Sequence, residues 1–164
     1  MFHRPQVQKV TTLKVTDSRC ITKVHGSGSN ESPLVLLHGA FGFAEGWSGV
    51  LPTLAKTRRV IVVALQGHGH AADRDQPLAY EQMADDTAEL LKQLKIKSAD
   101  FFGYSMGGTV ALGVAVRHSE LTRKVAILGS TARSPKDTCE PEFYREYLSL
   151  SADFAPPELK NPYG

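Results

Sequence analysis

The chain has 164 residues, of which 41% are apolar, and this length and composition suit one domain with a sizeable core. Its formal net charge is only +2, and its basic clusters are too short to indicate a surface that binds nucleic acid. Two distant cysteines predict reduced thiols in the cytoplasm, and no apolar run is long enough to predict a membrane span.

Short apolar runs alternate with helical patterns along the chain. The predicted strands are Val7–Val15, its hairpin partner Cys20–Val24, and the buried runs Leu34–Leu37, Val60–Leu65, Ala99–Tyr104 and Lys124–Gly129. The predicted helices are Glu45–Lys56 with a kink or break at Pro52, then Tyr80–Leu94, Thr109–Arg117 and Glu142–Leu150. This alternation predicts an α/β fold whose mostly parallel sheet is covered by helices on both faces.

The regular pattern weakens after residue 131. We therefore expect a core over residues 1–131, followed over residues 132–164 by the start of a cap segment or an irregular tail. The strand at 124–129 would then form an uncovered edge of the sheet, and such edges invite association with other chains. A second copy, the Glu142–Leu150 helix or an absent C-terminal part could cover it.

Three glycine-containing motifs follow predicted buried strands. They are His38-Gly-Ala-Phe-Gly42, Gln66-Gly-His-Gly-His70 and Gly103-Tyr-Ser-Met-Gly107. Ligands bind beyond the carboxyl ends of the strands in parallel sheets, so these motifs predict an active site at that edge. The last motif joins a strand to a helix, and a serine at such a sharp turn exposes its hydroxyl to substrate.

The order and spacing of these motifs resemble the α/β-hydrolase superfamily, in particular its single-domain members that carry a helical cap. The resemblance runs from about Pro33 to Thr131. Ala64 departs from it, because members often carry aspartate at that position. Members usually exceed about 250 residues, so the resemblance implies that this chain covers the first half to two thirds and lacks the final strands.

The resemblance implies a role for several residues around the serine turn. Ser105 would be the nucleophile, and the main-chain N–H groups of Met106 and Ala40 would bind an oxyanion. Phe41 is the alternative donor, or its ring forms a wall of the substrate pocket. Tyr104 would also line that pocket.

The partners of Ser105 are harder to predict. The resemblance implies that His38 holds its loop, and His68 and His70 are expected to stabilise a turn. On a continuous helix His118 would lie about 20 Å from the serine. Asp137 is the best candidate for the acid, ahead of Glu140 and Asp153, whereas Asp85 and Asp86 are expected on a solvated helix face. No histidine follows His118 in the sequence, although the family order is serine, acid, histidine.

The predicted function is therefore hydrolysis of an ester, lactone or related small carbonyl compound through an acyl intermediate on Ser105, with no cofactor or metal. Without its base the 164-residue chain itself should be nearly inactive. Two alternatives stay open at this point. One is a non-catalytic protein that binds ligands in the same pocket, and the other is a cofactor-free perhydrolase or haloperoxidase.

Overall fold

A computed structural model of the chain describes residues 7–15, 18–26, 32–68, 71 and 78–132. The chain divides into two compact units, residues 1–130 and 131–164, and almost all described residues belong to the first. Asp137, Glu140, Asp153, His70 and the predicted Glu142–Leu150 helix lie outside the described residues.

The described strands form one six-stranded sheet. They are β1 (Val7–Val15), β2 (Ser18–His25), β3 (Leu34–Leu37), β4 (Val60–Val63), β5 (Ala99–Tyr104) and β6 (Thr122–Leu128), in the spatial order β1-β2-β4-β3-β5-β6. Strands β3 to β6 pair in parallel, while β1 and β2 form an antiparallel hairpin that joins the sheet through β4. The predicted mostly parallel sheet is confirmed.

Helices cover both faces of this sheet. They are a 3-10 helix (Ala44–Gly49), α1 (Leu51–Leu54), α2 (Tyr80–Gln93), α3 (Met106–Arg117) and a second 3-10 helix (Ser119–Leu121). The side chains of Val35 and Leu37 join the core beneath α2 and α3, whereas Leu36 joins the core beneath α1. This division follows from the alternation of side chains along a strand. No helix among the described residues is long and apolar enough to cross a membrane.

The segment Glu45–Lys56, predicted as a helix with a kink or break at Pro52, is helical in part and breaks at a different residue. The segment forms two short helices that meet at Val50, and Pro52 lies in the first turn of α1. Proline has no N–H to donate, and the first turn of a helix is where this loss costs nothing. The break therefore precedes the proline instead of coinciding with it.

The expectation that Asp86 lies on a solvated face is also wrong. Its side chain is buried and accepts a hydrogen bond of 2.9 Å from Gln82 one helical turn earlier. Asp85 is partly exposed, as expected, but it is bound by Arg117 at 2.6 Å and by His118 at 2.7 Å. The hydrogen bond from Arg117 is the largest cause that lowers the pKa of Asp85 to about 2. These contacts join the end of α3 to α2.

A buried carboxylate ties together three segments at the amino ends of the parallel strands. Asp100 on β5 is only 5% exposed, and it accepts hydrogen bonds from Arg58 at 2.6 Å and from Arg123. Arg58 also donates to the carbonyl of Ser32 at 2.7 Å. Burial alone would raise the pKa of Asp100, but the two arginines outweigh that effect and lower it. The carboxylate is therefore charged at neutral pH and connects β5 to the segments before β4 and β3 and to the first residues of β6.

We predict that Asp100→Asn lowers the free energy of unfolding by about 2–3 kcal/mol, because it leaves two arginines beside a neutral, buried partner. Urea unfolding measures this loss. Asp85→Asn is the matched control, since it also removes a carboxylate bound by arginine, but at a site about one third exposed. An equal loss of unfolding free energy in the two variants would contradict the inference that burial makes the ion pairs of Asp100 more stabilising.

Candidate active site

The connections of the sheet create a crevice between the carboxyl ends of β3 and β5. The chain leaves β3 toward β4 on one side and leaves β5 toward β6 on the other. Loops that diverge in this way open a gap at the end of the sheet, and ligands of open α/β sheets bind there. The loop His38–Gly42 follows β3 and Ser105 follows β5, so the structure brings these two predicted motifs to the same crevice.

Ser105 occupies a sharp turn between β5 and α3. Its backbone has φ 50° and ψ −120°, a conformation that L-residues rarely adopt and that costs about 1–3 kcal/mol. The turn is held on both sides, because the N–H of Ser105 donates to the carbonyl of Leu128 at 2.9 Å and its own carbonyl accepts from Gly108 at 2.8 Å. The side chain is partly exposed, as the predicted nucleophile turn requires.

Two glycines of this motif permit the close approach of β5, α3 and β3. A side chain at Gly103 would overlap the backbone of Gly107, and a side chain at Gly107 would overlap the carbonyl of Leu37 on β3. Neighbouring backbone atoms therefore leave no room for a Cβ atom at either position. The serine turn can exist here only with glycine at both positions.

The loop after β3 lies against the serine turn. A Cβ atom built on Gly39 would be 3.3 Å from the Cβ of Ser105 and 3.0 Å from the ring of Tyr104. The loop turns between Gly39 and Gly42, whose backbone groups hydrogen bond at 3.0 Å. Phe41 within this turn has a positive φ of 57°, which is uncommon for a bulky residue.

The main-chain N–H groups predicted to bind an oxyanion have no hydrogen-bond acceptor among the described residues. Neither the N–H of Ala40 nor that of Met106 donates to another group of the described residues. The first N–H groups of a helix have no partner within it, and α3 begins at Met106. The start of this helix also carries a partial positive charge, which favours an anion nearby.

His38 connects the loop to the end of β4. The N–H of Leu65 donates to Nε2 of His38 at 3.1 Å, so Nδ1 carries the proton and donates to the carbonyl of Gly39 at 2.8 Å. Burial is the largest cause that lowers the pKa of His38, and the nearby His68 ring, 5.3 Å away between centroids, also lowers it. Both ring nitrogens are occupied by backbone, so His38 holds the loop and is not available as a base.

The other described histidines near the helices are also engaged. Nδ1 of His68 donates to the carbonyl of Gln66 at 2.8 Å, and Nε2 of His118 contacts Asp85 at the far end of α3. The described residues therefore bring together the predicted nucleophile and the main-chain donors, but they add no base or acid to them. They also contain no group of three side chains that could hold a metal ion.

An apolar groove of about 820 Å³ lies beside the serine turn, between α1 and strands β5 and β6. Tyr104, whose side chain is 50% exposed, lines it, and Trp47 packs edge-on against Phe102 within it. Ser105 and Phe41 are not among its lining residues. The groove nevertheless reaches the crevice, because Gly39 and Ala40 of the loop after β3 line it, and from there it extends along one face of the sheet.

Sequence reasoning missed two contacts that support the site. The carbonyl of Leu128 fixes the N–H of Ser105, and the hydroxyls of Ser130 and Thr109 lie 3.1 Å apart beside the first turn of α3. Both contacts come from β6 and the residues after it. No motif could have indicated them, since they depend on the register between β5 and β6.

Comparison with known proteins agrees with this geometry. Residues 32–156 match the model of the alpha/beta hydrolase fold family.

The chain belongs to the α/β-hydrolase-fold family.

Two relatives of this chain are named as a hydrolase and an esterase. The chain is 36% identical over 118 residues to 2-hydroxymuconate semialdehyde hydrolase of Pseudomonas sp. (strain CF600), covering 69% of this chain and 41% of the relative. It is 31% identical over 99 residues to esterase YbfF of Escherichia coli, covering 60% of this chain and 39% of the esterase. The chain therefore spans about two fifths of the length of these relatives.

A solved structure shares the fold. The enol-lactonase from Burkholderia xenovorans LB400 superimposes with a TM-score of 0.71 at 27% identity, covering 87% of this chain and 59% of the lactonase.

We predict that Gly107→Ala destabilises the protein by about 3 kcal/mol or more, because the new methyl group would meet backbone carbonyls that cannot move independently. Thermal or urea unfolding measures the loss. Gly46→Ala is the matched control, since nothing lies within 4 Å of the added atom. Similar stability of the two variants would contradict the close approach described at Gly107.

We also predict that the free energy of unfolding falls as pH drops below the ordinary histidine value of 6.5. The folded pKa of His38 is lowered, so its contribution is fully present above 6.5 and is lost as pH falls through the lowered folded value. Unfolding at a series of pH values measures this slope. His38→Gln should flatten it more than His68→Gln does, and an unchanged slope in His38→Gln would contradict the assignment.

Proposed function

We propose that Ser105 is the nucleophile of a hydrolase that acts on an ester, lactone or related small carbonyl compound. The observation that carries this proposal is the strained turn that sets Ser105 beside Gly39, next to the unoccupied N–H groups of Ala40 and Met106. The names of the relatives, a hydrolase and an esterase, support the same class of reaction.

In the proposed reaction the oxygen of Ser105 attacks the substrate carbonyl carbon, and the serine proton passes to a base. The carbonyl oxygen becomes an oxyanion, which accepts hydrogen bonds from the N–H groups of Ala40 and Met106. Collapse of this intermediate breaks the bond to the alcohol, which takes the proton from the base as it leaves, and an acyl group stays on Ser105. Water then attacks the acyl carbon, releases the carboxylic acid and restores the serine.

The helix start and the loop favour this oxyanion over the neutral substrate, which is the condition for catalysis. Their donors belong to the main chain, so they do not reorient during the reaction. Tyr104, whose ring lies against Gly39, is proposed to contact the substrate, and Phe41 is proposed as a second, exposed wall. Asp137 stays the predicted acid, and the cytoplasmic location stays a prediction.

The proton acceptor is the element that the described residues do not provide. Both ring nitrogens of His38 are bound by backbone, and Nε2 of His118 contacts Asp85 at the far end of α3. His68 is bound through Nδ1 to Gln66, and among the described residues no hydrogen bond joins its ring to Ser105. No histidine follows His118 in the sequence. We therefore propose that the 164-residue chain alone is nearly inactive. A triad enzyme that has lost one member keeps only about 10³–10⁴-fold acceleration over water, from oxyanion donors and binding.

A fluorophosphonate probe with mass-spectrometric detection tests the proposal. We expect slow labelling of Ser105 in the 164-residue chain and a severalfold faster rate when imidazole is added, because imidazole can accept the serine proton. Ser105→Ala should abolish labelling, while the exposed Ser119→Ala should label like the unchanged chain.

Two outcomes would contradict the proposal in different ways. Rapid, stoichiometric labelling without imidazole would mean that the chain already holds a base. A complete absence of labelling, with or without imidazole, would mean that Ser105 is not a nucleophile, and would favour a protein that binds ligands without catalysis.

A further inference from the structure

Two main-chain groups of Ser105 are held by different parts of the chain. Its N–H donates to the carbonyl of Leu128 at the end of β6, at 2.9 Å. Its carbonyl accepts from the N–H of Gly108 at 2.8 Å, and the N–H of Thr109 approaches the same oxygen at 3.4 Å. The strained turn is therefore anchored to β6 on one side and to the first turn of α3 on the other.

The chain that follows Leu128 reaches the first turn of α3 within two residues. Gly129 has a positive φ of 62°, a conformation that favours glycine, and Ser130 comes next. The side chain of Ser130 lies against Gly108, because a Cβ atom built on that glycine would be 2.6 Å from the Cβ of Ser130. The hydroxyls of Ser130 and Thr109 lie 3.1 Å apart, so one of them donates a hydrogen bond to the other.

These contacts close a ring around the backbone of Ser105. From the N–H of Ser105 the ring passes to the carbonyl of Leu128 and along the main chain to Ser130. It crosses to Thr109 through the two hydroxyls, and it returns to the carbonyl of Ser105 through the N–H groups in the first turn of α3. The hydroxyl pair is therefore the link that a side-chain substitution can remove while the main-chain links stay in place.

We propose that Ser130 and Thr109 are positioning residues for the nucleophile, an inference that rests on the proposed role of Ser105. The ψ angle of Ser105, −120°, sets the plane of the peptide that carries the N–H of Met106. A ring that holds both main-chain groups of Ser105 therefore fixes the direction of its side chain and the direction of the Met106 N–H together. Without the hydroxyl link the strained turn relaxes, and the serine oxygen loses its alignment with the oxyanion donor.

A second effect comes from the rotamer of Thr109. A threonine in a helix can turn its hydroxyl back to the carbonyl four residues earlier, and for Thr109 that carbonyl belongs to Ser105. In the structure the hydroxyl of Thr109 meets Ser130 instead. Ser130 therefore leaves the carbonyl of Ser105 to the N–H of Gly108, the contact that closes the turn.

The rate at which the fluorophosphonate labels Ser105, with imidazole present, tests this positioning. Thr109→Val removes the hydroxyl and keeps the shape of the side chain, so it should slow labelling about fivefold, the factor expected for one ordinary hydrogen bond. Thr109→Ser returns the hydroxyl and should recover most of the lost rate. Ser130→Ala should slow labelling to a similar extent, and the double variant with Thr109→Val should be no slower, because each of these variants lacks the same link.

Thr87→Val is the matched control on another helix. The hydroxyl of Thr87 is buried on α2 and donates to the carbonyl of Met83 at 2.7 Å, so the same substitution again removes one hydrogen bond. This variant should lower the free energy of unfolding without slowing the labelling of Ser105. A purely structural role of Thr109 would make Thr109→Val and Thr87→Val label at the same rate.

Hydrogen exchange of the Ser105 amide, followed by nuclear magnetic resonance, tests the ring independently of any reaction at the serine. Relative to the amides of β3, this amide should exchange several times faster in Thr109→Val and Ser130→Ala, but not in Thr109→Ser. Absence of labelling in the unchanged chain would overturn the proposed function, and the positioning role with it. If the unchanged chain is labelled and Thr109→Val labels and exchanges like Thr109→Ser, the positioning role alone is overturned.

Discussion

Three backbone segments at the centre of this fold approach one another so closely that no side chain fits between them. The end of β5, the first turn of α3 and the end of β3 meet at Gly103 and Gly107, where a Cβ atom would overlap neighbouring carbonyl groups. Because the chain must leave β5 and enter α3 within this space, it passes through the strained conformation of Ser105. The position of the serine, the start of the helix and the distance to Gly39 all depend on this approach. The strain is stable only because the sheet on one side and α3 on the other determine it.

The loop opposite the serine is positioned by a neutral imidazole instead of a charge. His38 accepts from Leu65 and donates to Gly39, so one buried ring joins the ends of β3 and β4. Burial is the largest cause that lowers the pKa of His38, and the nearby His68 lowers it further. A protonated ring would also turn a donor toward the N–H of Leu65, so the neutral ring is the form that fits this site. The loop is therefore held without placing a fixed cation near Ala40. An oxyanion that forms at Ser105 would interact with main-chain donors whose orientation does not vary with substrate.

The sequence predicts those parts of the fold that depend on local patterns. Strands β3 and β5 have the predicted bounds, because each is a short apolar run whose two ends are marked by turn residues. The break in the helical segment Glu45–Lys56 was predicted at Pro52 but lies at Val50, because the proline is accommodated in the first turn of the next helix. Asp86 was misplaced because a helical pattern does not reveal the neighbour that buries it. The three motifs at one edge of the sheet could be anticipated from topology. The bond from Ser105 to Leu128 and the cluster at Asp100 could not, since they depend on the register of distant strands.

Different interactions hold the structure together at the two ends of the parallel strands. At the amino ends, Asp100 with Arg58 and Arg123 fixes the segments before β3 and β4 and the start of β6 through buried charge. At the carboxyl ends the described groups around Ser105 are main-chain donors, a neutral histidine and aromatic rings, and the backbone there is strained at Phe41 and Ser105. Strain at this end has to be offset by stability elsewhere, which the buried side chains on both faces of the sheet and the Asp100 cluster at the opposite end of the strands supply. Substitutions that loosen the amino end should therefore reach the site through β5, whose residues 99–104 connect Asp100 directly to the turn at Ser105.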